Sequence, residues 1–254
     1  SYLARHVAPY SANLERVDFH IPSRLPGPRP FRIGFVTDTH IGPVVRPGDI
    51  ERALSLLVDA KPDLLAFGGD YVSESPRYIA EAAAVLGNFV ATARHGALAV
   101  LGNHDYANDA SRLMKHFERR GIQVLRNQSQ RVAAPCGDLW IAGIDDALLG
   151  APDLRLAFAD VPADAAALAL WHEPDWAEHV APFGAFLQLS GHSHGGQIRL
   201  PILGNVAAPS GGRRFVAGLQ QAAGLPIYTS RGIGVYRPPI RFRCPPEVTL
   251  ITLR

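Results

Sequence analysis

Apolar and polar positions alternate along the chain in blocks that predict strands and helices in turn. Leu14-Glu15-Arg16-Val17-Asp18-Phe19-His20-Ile21 changes character at every second residue, as a half-buried strand does. A proline-rich turn, Pro26-Gly27-Pro28-Arg29-Pro30, follows. Residues 1–30 therefore read as an N-terminal arm, with a single domain over 31–254. In that domain Phe31–Val36 reads as a buried strand, and Ile50–Asp59 has helical spacing with Asp49 as its N-cap. Asp63–Phe67 is a strand, Tyr78–Ala91 a helix, and Gly96–Leu101 a strand. This alternation predicts a layered α/β domain with parallel pairing.

The second half is richer in short strands. Gln130–Ala134 and Leu139–Gly143 flank a turn at Gly137-Asp138. Ala166–Trp171 is an apolar strand, after which Pro174 can open a helix. Phe186–Leu189, Gln197–Leu200, Pro226–Ser230 and Val248–Leu253 complete the set, and residues 203–225, rich in Gly, Pro and Arg, read as a long loop.

Composition narrows the class. Of 254 residues, 47% are hydrophobic and 19% charged, which supports a core and argues against disorder. The net charge of +2 is too small to point to nucleic acid, and it suits an anionic substrate or an anionic membrane surface. Two distant cysteines, Cys136 and Cys244, make no disulfide framework or cysteine-rich zinc site; they read as structural thiols, with one disulfide left open. No run approaches the roughly 18 apolar residues that span a bilayer, and none reads as a signal peptide. The sequence opens at Ser1 rather than Met, so an anchor or export signal ahead of it stays open.

The chemistry lies just beyond the strand ends. Asp38 and His40 follow the first strand of the domain, Asp70 the second and Asn103-His104-Asp105 the third; His172 follows another, and His192 and His194 the next. Ligand sites in α/β sheets gather at the carboxyl ends of strands. Oxygen and nitrogen donors without a thiolate suit manganese, iron, zinc or cobalt. Asp-x-His and His-x-His would set both side chains on one side of an extended backbone. Taken singly, each motif could be only a turn or a cap; the five in this order are hard to explain that way.

These five blocks, Asp38-x-His40, Gly69-Asp70, Gly102-Asn103-His104-Asp105, His172 and Gly191-His192-Ser193-His194, resemble the calcineurin-like metallophosphoesterases. Gly191-His192-Ser193-His194-Gly195-Gly196-Gln197 with Tyr228-x-Ser230-Arg231-Gly232-x-Gly234 looks like a bacterial branch of that family, associated with membranes or exported. The resemblance implies a four-layer α/β/β/α sandwich of two mixed sheets flanked by helices. It implies two divalent ions, manganese first, one held by Asp38, His40, Asp70 and His194, the other by Asp70, Asn103, His172 and His192. The implied reaction is hydrolysis of a phosphodiester or pyrophosphate bond by a hydroxide between the two cations, on a small-molecule or lipid-linked substrate. His104 would act on the leaving group. Asp105 would orient His104, or else cap a helix. Among Arg199, Arg213, Arg214, Arg231 and Arg237, Arg213 and Arg231 are the candidate phosphate-binding residues. A phosphomonoesterase or nucleotide phosphatase with the same metals, and a scaffold protein on the same fold, are the competing readings. A membrane or exported face is the implied location, with the cytoplasm as the alternative; nothing bears on the oligomeric state.

Overall fold

Most of the longer strands turn apolar side chains to a buried layer, and among the described residues two strand sets form two six-stranded sheets. The computed structural model describes residues 11–20, 29–134, 137–202, 204–205 and 208–254. The elements are β1 (Asn13–Phe19), β2 (Phe31–Val36), α1 (Pro47–Ala60), β3 (Leu64–Phe67), α2 (Ile79–Gly87), β4 (Ala97–Ala99), α3 (Asn103–Ala107), α4 (Ala110–Glu118) and β5 (Ile122–Val124). They continue with β6 (Gln128–Ala134), β7 (Gly137–Gly143), α5 (Leu154–Ala157), β8 (Ala166–Leu170), β9 (Leu187–Ser190), β10 (Arg199–Leu200), β11 (Gly204–Asn205), β12 (Gly218–Ala222), β13 (Leu225–Thr229) and β14 (Glu247–Leu253).

The first sheet has the order β1-β14-β2-β3-β4-β5 and the second β12-β13-β9-β8-β7-β6. Strands β2 to β5 are parallel, as are β7, β8, β9 and β13. The sheets are mixed because β14 runs antiparallel to β2, β6 to β7 and β12 to β13. Between the sheets lies one buried cluster, with Phe31, Ile33 and Phe35 on β2 and Leu168, Leu170, Leu187 and Leu189 on β8 and β9. The outer face of the first sheet packs against α1, α2 and α4 through residues such as Leu54, Leu86 and Phe117. The outer face of the second sheet is covered by short helical turns and loops carrying Trp171, Ala177 and Phe215. This is the expected four-layer sandwich.

Differences from the sequence reading have local causes. Residues 13–19 of the arm pair in parallel with β14 and so form the edge strand of the first sheet. The proline turn through Pro28, and Cys136, lie outside the described residues; Cys244 is a buried free thiol. Helix α1 starts two residues before Asp49, because Pro47 can occupy the first helical position; Arg46 is the N-cap and its amide donates to the Asp49 carboxylate at 3.0 Å. The stretch expected as one helix over 78–91 is a 3-10 turn at Pro76–Tyr78, α2, and a second turn at Val90–Thr92. The loop expected over 203–225 contains strand β12 and the two-residue β11; Gln220 and Gln221 face solvent on β12, so no apolar alternation announces it. Helix α4 and strand β5 were not anticipated, since α4 buries only Ala110, Leu113 and Phe117.

Burial in the inter-sheet layer predicts a clear contrast. Leu168→Ala, at a fully buried position, should cost about 2–5 kcal/mol in urea unfolding. Leu156→Ala, on α5 and 57% exposed, should stay within about 0.5 kcal/mol.

Candidate metal centre

The parallel strands of both sheets deliver their carboxyl ends to one edge of the sandwich. There β2 leads to Asp38 and His40, β3 to Asp70, β4 to Asn103 and His104, β8 to His172, and β9 to His192 and His194. Three groups form, each with ligand atoms within 4.8 Å of one another: Asp38 with His40 and His194, His40 with Asp70 and His104, and Asp70 with His172 and His192. Asp70 stands in the middle. Its Oδ2 lies 3.2 Å from His172 Nε2 and 3.6 Å from His40 Nε2, and its Oδ1 accepts the His104 backbone amide at 2.8 Å. His194 Nε2 lies 3.6 Å from Asp38 Oδ1. The Asn103 side-chain oxygen is buried beside them without a hydrogen-bond partner.

The backbone that carries these side chains is not extended, contrary to the sequence reading. Asp38, His40, Asp70, His192 and His194 all have positive φ, between 46° and 63°. Each such non-glycine residue costs about 1 kcal/mol or more and persists only where surrounding contacts enforce it. The enforcing contacts are visible. The Asp105 carboxylate accepts the amides of Gly102, Asp70 and Tyr71, at 2.9, 2.8 and 2.8 Å. The buried Tyr71 hydroxyl donates to the Val100 carbonyl at 2.6 Å and accepts the Gly69 amide at 3.0 Å. Asp38 accepts the His192 amide at 3.0 Å, tying the end of β2 to the end of β9. Two glycines permit the close approach. A Cβ on Gly102 would lie 2.3 Å from Asp70 Oδ1, and one on Gly191 would lie 2.5 Å from Asp38 Oδ2.

Hydrogen bonds on the far side of each ring settle what the near side offers. His172 Nδ1–H donates to the Gly68 carbonyl at 2.6 Å, leaving Nε2 to face Asp70; burial alone would lower the His172 pKa, but Asp70 holds it well above the usual range, so a cation there would displace the Nε2 proton. His192 Nε2–H donates to the Ser210 carbonyl at 2.8 Å, so Nδ1 holds a lone pair with no partner. His40 Nδ1 is hydrogen-bonded to the Ser73 hydroxyl at 2.6 Å. His40 Nε2 and His194 Nε2 face each other at 3.0 Å, sharing the one proton a cation there would displace. Burial lowers the pKa of His40 to about 3 and of His192 to about 4, and burial with His40 and Arg241 holds His194 well below the usual range. Those rings are neutral at pH 7, the form in which histidine binds metals. Burial raises Asp38 to about 7, opposed by His172 and reinforced by Asp70. Burial would also raise Asp70, but His172, His104 and His40 hold it well below the usual carboxylate range. Closely spaced buried carboxylates, converging lone pairs and orphaned donor atoms make this His/Asp cluster compatible with a dinuclear metal site.

Three expectations change. Asp105 turns both oxygens to backbone amides rather than to the His104 ring, which makes it a helix-capping and positioning residue. Arg231 is bound to Glu15 and Glu247 and to the Pro245 carbonyl, joining β14 to β1, and is not among the residues that line the cavity over the cluster. Arg213 is exposed, with Nε donating to the Ala208 carbonyl at 3.3 Å. The arginine that lines the cavity over the centre is Arg237, together with Tyr236, His104 and Asn103.

Sequence reasoning also missed Arg241, since nothing around it forms a motif. It is fully buried behind His194, and its guanidinium donates to the carbonyls of Arg231, Gly232, Gly234, His194 and Cys244. Its Nη2 lies 3.5 Å from His194 Nδ1. Burial lowers its pKa, while Cys244, Asp38 and Glu247 act the other way. Replacing it strands several buried carbonyls. Arg241→Met should therefore destabilise the metal-free protein by about 3 kcal/mol or more, read as a lower urea midpoint.

Comparison with known proteins agrees with this geometry. The family model for calcineurin-like phosphoesterases matches residues 31–196. The uncharacterized metallophosphoesterase YkuE of Bacillus subtilis is 33% identical over 88% of this chain and 79% of its own length. Phosphodiesterase YaeI of Escherichia coli is 34% identical over 88% of this chain and 82% of its own. The structure of the NAD nucleotidase NadN of Haemophilus influenzae superposes with a TM-score of 0.50 at 15% identity, covering 80% of this chain and 45% of that one, a likeness of fold. With two sheets delivering these side chains to one edge, the chain belongs to the calcineurin-like metallophosphoesterase family.

Proposed function

We propose that Asp38, His40, Asp70 and His194 hold one divalent cation, that Asp70, Asn103, His172 and His192 hold a second, and that the chain hydrolyses a phosphodiester or diphosphate bond beside them. The observation that carries this is the placement of Asp70, whose carboxylate lies between the His172 and His40 nitrogens among orphaned donor atoms. Manganese is the cation expected first; iron, zinc or cobalt would suit the same oxygen and nitrogen donors. Bound cations would supply an activated water and stabilise charge on the phosphoryl oxygens.

The protein's own residues do the rest. The His104 backbone amide fixes Asp70 Oδ1. The His104 ring lies at the cavity wall with its centroid 4.5 Å from that of Tyr236, free to protonate a departing oxygen. Asp105 holds the turns that carry Asp70 and Gly102. Arg237 on the rim supplies the positive charge first sought in Arg213 and Arg231. The cavity of about 360 Å³ above the centre has room for a phosphoester. A larger one of about 650 Å³ beside α4 and β5 carries none of these groups. YaeI, named a phosphodiesterase, supports a diester before a monoester. A small-molecule or lipid-linked substrate fits this reading. Among the described residues no helix is long and apolar enough to cross a membrane.

Chelator-stripped protein should regain hydrolysis of bis(p-nitrophenyl) phosphate on adding Mn²⁺, with two metal equivalents bound. Asp70→Asn should lower both metal content and rate, the latter roughly a hundredfold or more. His104→Ala should keep both metals and lose roughly 10²–10⁴ in kcat. Metal binding without turnover of a diester or a diphosphate would favour the scaffold reading.

A further inference from the structure

Tyr236 is a partition. Its ring centroid lies 4.5 Å from that of His104 and 5.8 Å from that of His40. On one side is the cavity over Asp70 and Asn103; on the other is a second cavity of about 470 Å³. Tyr236 and Arg237 line both, and His40 lines the second. The two spaces therefore adjoin at Tyr236 and Arg237. The volume of the second falls within the range of small-molecule sites, roughly 300–1,000 Å³.

Five apolar residues from two segments of the chain line it: Pro43 and Val44 from one, Val235, Pro238 and Pro239 from the other. Several of the polar groups that line it are engaged with one another or with neighbours. Ser73 is hydrogen-bonded to His40 Nδ1 at 2.6 Å, and Arg237 Nε donates to Glu74 Oε1 at 3.1 Å. The backbone carbonyls of Tyr236 and Pro238 both accept from Gln197 Nε2. The surface it offers a ligand includes these five apolar side chains, beside the candidate centre.

We infer that this second cavity is a substrate subsite that takes an alkyl or acyl chain borne by the phosphoester, with its phosphate at the adjoining centre. The inference rests on the proposed metal centre and adds the class of substituent. The alkyl chain passes Tyr236 and contacts Val44 and Pro239.

The test is calorimetric binding of methylphosphonate and octylphosphonate to the full chain loaded with Mn²⁺, which needs no turnover. Burial of only two methylene groups corresponds to roughly tenfold in affinity, so octylphosphonate should bind at least that much more tightly. Val44→Asp, at a position 39% exposed, should reduce the octyl-to-methyl ratio to within about threefold. Pro239→Asp, in the second lining segment, should do the same, so that one variant decides if the other fails to fold. Val58→Asp, on α1 and 38% exposed, should keep the ratio of the unaltered protein. Equal affinity for the two phosphonates, or a ratio that survives both wall substitutions, overturns the subsite and leaves the centre standing. Binding of neither phosphonate overturns the centre and the subsite with it.

Discussion

An ionised carboxylate cannot be buried without partners, and this edge of the sandwich buries Asp38, Asp70 and Asp105 together. Their partners come from both sheets. Asp105 joins the loop after β4 to the loop after β3; Asp38 joins the end of β2 to the amide of His192 after β9. His172, after β8, donates to the carbonyl of Gly68, after β3. The apolar layer between the sheets is non-directional and sets only that they pack face to face. These polar links are directional, and they fix how the carboxyl ends of the two sheets meet.

The same links hold five residues in left-handed backbone. Such conformations concentrate at sites where function requires a side chain in a place that relaxed backbone would not put it. Here the strained residues are also the ones that carry the candidate donors. Arg241 contributes from beneath, where one cation gathers the carbonyls of segments 194, 231–234 and 244. The ends of β9 and β13 and the approach to β14 are therefore braced by a single side chain with no carboxylate partner within ion-pair distance among the described residues.

Much of this was legible in the chain. Buried strands such as β3 and β8 are continuous apolar runs, and the five blocks at strand ends mark the site because parallel strands bring their tips together. What failed has a physical reason. Strand β12 has solvent on its glutamines and leaves no period-2 signal. The Asp-x-His and His-x-His spacings suggested extended backbone, yet the donors converge through left-handed turns that spacing cannot reveal. Asp105 beside His104 suggested a carboxylate–imidazole pair, but local amides compete better because Asp105 is the third residue of a helix. Arg231 lay within a promising motif and was taken by Glu15 and Glu247; Arg241 lay in none, and its role depends on carbonyls distant in sequence.

The place of β14 has a consequence for how the molecule comes into being. This strand lies between β1 and β2, with Asn13 opposite Glu247 and Phe31 opposite Leu253. During synthesis β1 and β2 leave the ribosome long before the segment that must separate and pair them. The first sheet, and with it the setting of Asp38, waits until nearly the whole domain has been made. Pairings of such long sequence separation close slowly, and until then two apolar strand edges stand open to other chains or to a chaperone. The strand that joins β1 to β2 thus comes from the far end of the domain's sequence and completes one of the two sheets that carry the His/Asp cluster.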